Sequence, residues 1–308
     1  MLSPQILGHP ALPLSSPRSP ASGAFRGLWY DGNAELAGYD IVQPRYGALR
    51  HGELALIYVT EPLDRQTWIK RDDVSPEWRV DVLKLNANLT FLAGIYPYSV
   101  MTSVFSPIDD WGMARFTPVK ITLTAQEWCG QVFEGMWPGV GTLERQTISY
   151  FADEGERHLR ESVPDDTLYE DALLIQLREL DGPFARGASW SGHLVPSLWR
   201  LRRAHTPAVA APATITRSEA MRDGFAVTRF VVESANYRRT IDVERAAPRR
   251  ILGWQTSDGE QATLRRSTRL PYWERNHPGD ESLREQLGFP TEPAPAPTPP
   301  LGTTTIGR

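Results

Sequence analysis

One cysteine, Cys129, serves the entire 308-residue chain. That excludes an internal disulfide framework and any multi-cysteine zinc site. Lysine is almost as scarce. Lys70, Lys84 and Lys120 are the only three, and arginine supplies the remaining basic side chains. A formal charge of −4 leaves no overall positive field to hold nucleic acid or an anionic membrane. No apolar run approaches the roughly 18 residues of a membrane-spanning helix. The six histidines (His9, His51, His158, His193, His205, His277) form no His-x-x-x-His pair, so the sequence calls for no metal and no cofactor. No fixed-period repeat is present. Residues 1–23 are rich in proline and serine and lack the basic start and apolar core of a secretory signal, so the chain reads as having no export signal.

What is present is mostly β text. Val119, Ile121, Leu123 and Ala125 alternate with Lys120, Thr122, Thr124 and Gln126, the period-two pattern of a strand with one buried face. Further strands are expected over Ala34–Arg45, Glu53–Glu61, Val80–Asn86, Phe91–Phe105, Leu143–Phe151 and Arg157–Ser162. A second series follows over Leu194–Arg203, Ala213–Arg217, Phe225–Ser234, Tyr237–Glu244, Ile251–Thr256 and Gln261–Leu270. Ser257-Asp258-Gly259-Glu260 is a strong hairpin turn, because glycine tolerates the positive φ of a twisted hairpin. The main helix is expected over Thr167–Leu180, capped by Asp165 and Asp166 and stopped at Asp181-Gly182-Pro183, with a short terminal helix over Glu281–Leu287. Gly182–Gly192 reads as a linker.

The expected architecture is therefore mainly β: a curved antiparallel sheet or half-barrel with one covering helix and disordered Pro-rich ends. Residues 25–289 form a single β-rich domain, divisible into β blocks 25–163 and 190–275 around a helix at 167–180. Residues 1–24 and 290–308 lie outside it.

Candidate chemistry is thin. Cys129 beside Glu127 is a candidate nucleophile, but acyl transfer needs a base and an oxyanion site, and a lone cysteine more often behaves as a small hydrophobe. The paired acids Asp72-Asp73, Asp109-Asp110 and Asp165-Asp166 sit where turns and caps explain them. More suggestive are the aromatics: Tyr96, Tyr98, Phe105, Trp111, Trp128, Phe133 and Trp137 crowd about forty residues. Such side chains line apolar pockets while their polar tips orient a ligand, and they also build ordinary aromatic cores. The candidate ligand-binding set is Arg45, Tyr96, Tyr98, Met101, Trp128 and Phe133.

The segments Pro44-Arg45-Tyr46-Gly47, Gly94-Ile95-Tyr96-Pro97-Tyr98-Ser99, Gln126-Glu127-Trp128-Cys129-Gly130 and Leu270-Pro271-Tyr272-Trp273 resemble those of uncharacterised bacterial envelope proteins and lipoproteins. Some relatives of that type carry a septum-formation-inhibitor label, whose α/β catalytic motifs this chain lacks. The resemblance covers about Trp29 to Gly288 and implies a location in the cell envelope or periplasm, not a mechanism. The absent export signal leaves the cytoplasm open. The expected function is non-catalytic binding of a hydrophobic or amphipathic envelope molecule, a lipid or other apolar ligand. The alternatives are a Cys129-dependent hydrolase or transferase, or a structural module that recruits a protein partner.

Overall fold

The computed structural model describes residues 9–179, 184 and 189–291. In the first half of the chain the strands are β1 (Ala34–Arg45), β2 (Ala48–Asp64), the two-residue β3 (Ile69–Lys70), β4 (Arg79–Ala93), β5 (Tyr96–Pro107), β6 (Lys120–Glu127), β7 (Gly130–Gly139), β8 (Thr142–Ser149) and β9 (Glu156–Ser162). The second half adds β10 (Thr167–Tyr169), β11 (Ser189–Val195), β12 (Ala211–Arg222), β13 (Phe225–Ser234), β14 (Tyr237–Glu244), β15 (Ile251–Thr256) and β16 (Gln261–Leu270). All belong to one sheet. Its order from edge to edge is β10, β11, β12, β13, β14, β15, β16, β1, β2, β4, β5, β6, β7, β8, β9, with β3 paired to β2. Every neighbouring pair is antiparallel except β10 with β11. β16 pairs along β1 from Ala34↔Leu270 to Val42↔Gln261, which joins the two β blocks into one surface.

Connectivity requires that surface to curve. Fifteen flat strands about 4.8 Å apart would hold the two edges on the order of 65 Å from each other. Yet β9 and β10, the opposite edges, are joined by residues 163–166 alone. From Ser162 to Thr167 such a link reaches at most about 19 Å. The sheet therefore bends round into an open barrel whose two edge strands are not hydrogen-bonded to each other.

The inner face holds the main core, and the chain's buried helical segment fills it. The expected helix over Thr167–Leu180 is a composite instead. β10 pairs with His193–Val195, Glu170–Ala172 form a 3₁₀ turn, and only Leu173–Gln176 (α2) is α-helical. Leu168, Ala172, Leu173, Leu174, Ile175, Gln176, Leu177 and Arg178 are all buried. A segment enclosed on every side needs no polar face, which is why its pattern does not extend as an amphipathic helix. Asp165 and Asp166 do not cap it. Its N-cap positions carry no side-chain bond, and Asp166 instead meets His193 Nδ1 at 2.8 Å.

Two further expectations are corrected. The Leu194–Arg203 strand ends at Val195, and Leu198–Ala204 is a helix (α3), because Ser197 Oγ accepts the Arg200 N–H as an N-cap. Residues 9–24 are ordered against the outer face. His9 stacks on Trp137 at 4.4 Å, Leu12 is buried, Trp68 Nε1 donates to Pro10 O, and the segment ends in helix α1 (Gly23–Trp29) capped by Ser22. Prolines suit an extended arm that docks through side chains and carbonyls rather than a ladder. The terminal helix over Asp280–Leu287 is 3₁₀. The expected disorder of residues 1–8 and 292–308, and the linker residues 182–183 and 185–188, lie outside the described residues. Among the described residues no helix is long and apolar enough to cross a membrane.

Candidate ligand-binding cavity

Inward-pointing residues of β2, β4 and β5 form an aliphatic grid. Register places Leu54 opposite Leu89, Leu56 opposite Ala87, Leu85 opposite Val104, Ala87 opposite Thr102, and Leu89 opposite Val100. At its centre stand two short side chains, Ala87 and Thr102, between larger neighbours. A cavity opens there, with about 640 Å³ of empty space including its mouth, of which about 80 Å³ admits the centre of a water molecule. That is room for several waters, since one needs only about 10–15 Å³ by this measure.

The opposite wall is polar. Asp171 and Leu174 come from the buried segment, Ser197 and Trp199 from the start of α3, Arg239 from β14, Trp254 from β15, and Glu260 from the following hairpin. Glu170 anchors this wall. Its Oε1 accepts from Tyr237 Oη at 2.8 Å and Arg239 Nη1 at 3.3 Å, while Oε2 accepts from Ser197 N at 3.0 Å and Arg200 Nη2 at 3.0 Å. Burial alone would raise the Glu170 pKa, but Arg200, Arg239 and these donors outweigh it and hold it below the ordinary value. Breaking such a buried ion cluster by removing one partner costs about 3–5 kcal/mol.

Its sequence neighbour behaves oppositely. Asp171 Oδ2 accepts the Leu198 N–H at 2.9 Å, so the adjacent acids Glu170 and Asp171 together hold the N-terminus of α3. Oδ1 has no hydrogen-bond partner among the described residues, and Asp171 is a half-buried residue of the cavity lining. Burial raises the Asp171 pKa, the Leu198 N–H opposes this, and the Glu170 charge adds to it; the pKa is pushed up to about 7. The geometry thus joins an aliphatic floor to a wall carrying one uncommitted carboxyl group.

The aromatic residues singled out in the sequence lie to one side. Arg45 Nη2 donates to Tyr46 Oη and Tyr98 Oη, both at 3.1 Å, and its guanidinium lies 4.2 Å over the Tyr46 ring. Tyr96 contacts Tyr98 and Trp128, with ring centroids 5.9 and 6.2 Å apart. Arg45, Tyr96, Tyr98 and Trp128 are therefore brought together, around the hairpin tips at one end of the sheet. The space beneath them, lined by Arg45, Tyr98, Glu127 and Trp199, admits water centres over only about 20 Å³. They pack against each other, and Trp199 is the side chain shared with the cavity. Met101 and Phe133 do not join them. Met101 alternates with inward-facing Val100 and Thr102 and is exposed on the outer face, while Phe133 packs with the outer-face cluster around Trp137. Cys129 is exposed on the β6–β7 turn, where its N–H donates to Glu127 Oε2 at 2.7 Å. Hydrogen bonding to Glu127 and that carboxylate's charge push the thiol pKa up, the wrong direction for a nucleophile.

No family model matches the chain, and no curated protein matches it. A solved structure, a β-barrel-like protein of a domain of unknown function (DUF1849) from Brucella abortus, is similar over 77% of this chain and 98% of that one. Its TM-score is 0.46 and the identity is 8%. Nothing about function passes to this chain at that similarity.

Asp171, Ser197, Trp199, Arg239, Trp254 and Glu260 were not among the residues expected from sequence. One signal was legible. Arg239 shares strand parity with the inward-facing Ile241 and Val243, which puts a charge on the core side of β14. Thr102 likewise interrupts the inward run Tyr98, Val100, Val104.

Proposed function

We propose that this chain binds, without catalysis, a hydrophobic or amphipathic molecule of the cell envelope. The apolar part of that molecule occupies the cavity over Leu56, Leu85, Ala87 and Val104. The observation that carries this reading is the hollow itself, apolar on the sheet side and polar at Asp171, set within the main core. Burial of apolar area supplies the driving force, about 0.8 kcal/mol per buried methylene. The resemblance of the Pro44–Gly47, Gly94–Ser99 and Gln126–Gly130 segments to envelope proteins supports the location. Chemistry at Cys129 finds no support in a thiol held protonated by its neighbour.

The test is native mass spectrometry of gently purified full-length protein, with organic extraction of anything retained. A discrete co-purifying lipid, lost on filling the hollow with Ala87→Phe, is the expected result. A bare polypeptide mass, together with no binding of added envelope lipids, overturns the reading and transfers weight to protein-partner recruitment.

A further inference from the structure

The polar wall of the cavity has a charge balance that restricts what can sit against it. Glu170 carries one negative charge and is shared by two arginines, Arg200 and Arg239, each committed to it at 3.0–3.3 Å. Asp171, beside them, brings this group to neutrality when ionised. Glu260 has its own partners, since Trp254 Nε1 donates to it at 2.8 Å and Arg203 Nη2 lies at 3.4 Å. The Ser197 hydroxyl is used as the α3 cap. Arg239 keeps an Nε–H with no hydrogen-bond partner among the described residues, but its charge is already balanced within this group. A carboxylate or phosphate entering the cavity would face Asp171 and Glu260 in a low-dielectric site where the charges of Arg200 and Arg239 are already balanced by Glu170 and an ionised Asp171. An ammonium would unbalance the cluster in the other sense and would lose its hydration shell.

What the wall does offer is the carboxyl of the cavity-lining Asp171, fixed by Leu198 N–H through one oxygen and unbonded among the described residues at the other. Above about pH 7 the group is ionised and offers acceptors only, so accepting a hydrogen bond is the interaction that costs it least. We infer that the molecule held in this cavity ends in an uncharged hydrogen-bond donor, an alcohol hydroxyl, that donates to Asp171 Oδ1. This rests on the binding function proposed above and narrows it to aliphatic or polycyclic alcohols. Carboxylates, phosphates and amines of the same apolar body are discriminated against.

The experiment uses full-length protein at about pH 8, where the Asp171 carboxyl is ionised, and a matched eight-carbon series: 1-octanol, octanoate, octylamine and methyl heptyl ether. Binding is followed by calorimetry and by the fluorescence of the tryptophans, two of which, Trp199 and Trp254, line the cavity. Octanol is expected to bind at least about tenfold more tightly than each of the other three, the size of one unsatisfied buried hydrogen bond. Asp171→Asn turns an N–H₂ toward the cavity while its carbonyl keeps the Leu198 bond, and the preference should move to the ether, a pure acceptor. Ala87→Phe should abolish binding of all four, which places them in the hollow. Equal or tighter binding of octanoate or octylamine overturns the alcohol assignment and leaves the cavity function standing. Unchanged selectivity in Asp171→Asn overturns the role of Asp171. Failure of all four to bind the unmodified protein sinks both the assignment and the cavity function on which it rests.

Discussion

Removing the Arg178 guanidinium should be among the most damaging single changes in the interior. Arg178 is 1% exposed and clamps the buried segment to β1, with Nη1 2.8 Å from Glu35 Oε1 and Nη2 3.0 Å from Oε2. Nη2 also donates to Pro248 O at 2.9 Å, and the guanidinium lies 4.4 Å from the Tyr58 ring centroid. Arg178→Met keeps most of the side-chain volume and strips every one of these contacts. Glu35, 2% exposed, would then retain only Arg269 at 3.9 Å. A buried carboxylate deprived of its partner costs about 3–5 kcal/mol. Equilibrium urea denaturation reads this as a lower midpoint with unchanged slope. The double variant Glu35→Met with Arg178→Met removes both charges and should recover most of the loss, because two apolar side chains leave nothing unsatisfied. A double-mutant cycle therefore shows a coupling of at least about 2 kcal/mol. A single-variant cost below about 1 kcal/mol, or a double variant no more stable than the sum of the singles, refutes the clamp.

Asp171 sets a pH dependence of definite sign. Its folded pKa of about 7 lies above the ordinary carboxylate value, so the folded state holds a proton that the unfolded chain has released. Below about pH 4 both states are protonated; between about pH 4 and 7 stability falls with rising pH, by up to about 4 kcal/mol from this group, and then levels. Asp171→Asn should flatten that part of the profile in urea titrations taken from pH 4.5 to 7.5. Cys129 should react with iodoacetamide severalfold more slowly than a cysteine in an unstructured peptide at pH 7.5, and Glu127→Gln should speed it, as timed mass spectrometry would show. Gly253 has φ of +152°, and a Cβ built there would fall 2.2 Å from Ala262 O, so Gly253→Ala should lower stability by at least about 2 kcal/mol in thermal or urea unfolding.

Strands with one buried face were legible in the sequence wherever period two was sustained. β1, β13, β14, β15 and β16 occupy the spans their alternation marks, and the Ser257–Glu260 turn joins β15 to β16. Short helices were not legible. The three α-helices among the described residues are four or seven residues long, too short for an amphipathic period to declare itself against noise. The Thr167–Leu180 pattern is apolar because tertiary burial surrounds it, and sequence alone does not separate that from one strongly buried face. The site was the least legible part. Aromatic density drew attention to Tyr96, Tyr98 and Trp128, but Tyr98 packs tightly against Arg45 and Trp199 while Trp128 is exposed, and the hollow forms where side chains are short, at Ala87 and Thr102. Asp171 owes its position to α3, which starts 27 residues later in the chain, and its cavity partner Glu260 comes from a hairpin farther still.

The unbonded seam between β9 and β10 has a mechanical consequence. Elsewhere around the wall, widening the interior means stretching or breaking a ladder of backbone hydrogen bonds. At the seam no strand ladder joins β9 to β10, and only the tether at residues 163–166 links them. It borders a second hollow that admits water centres over about 320 Å³. The sheet is built like a sprung collar with an expansion joint: its circumference can grow at one line without loss of strand pairing. Under the proposed binding function, a guest bulkier than the resting cavity would strain side chains along this joint before it strained the strand ladders.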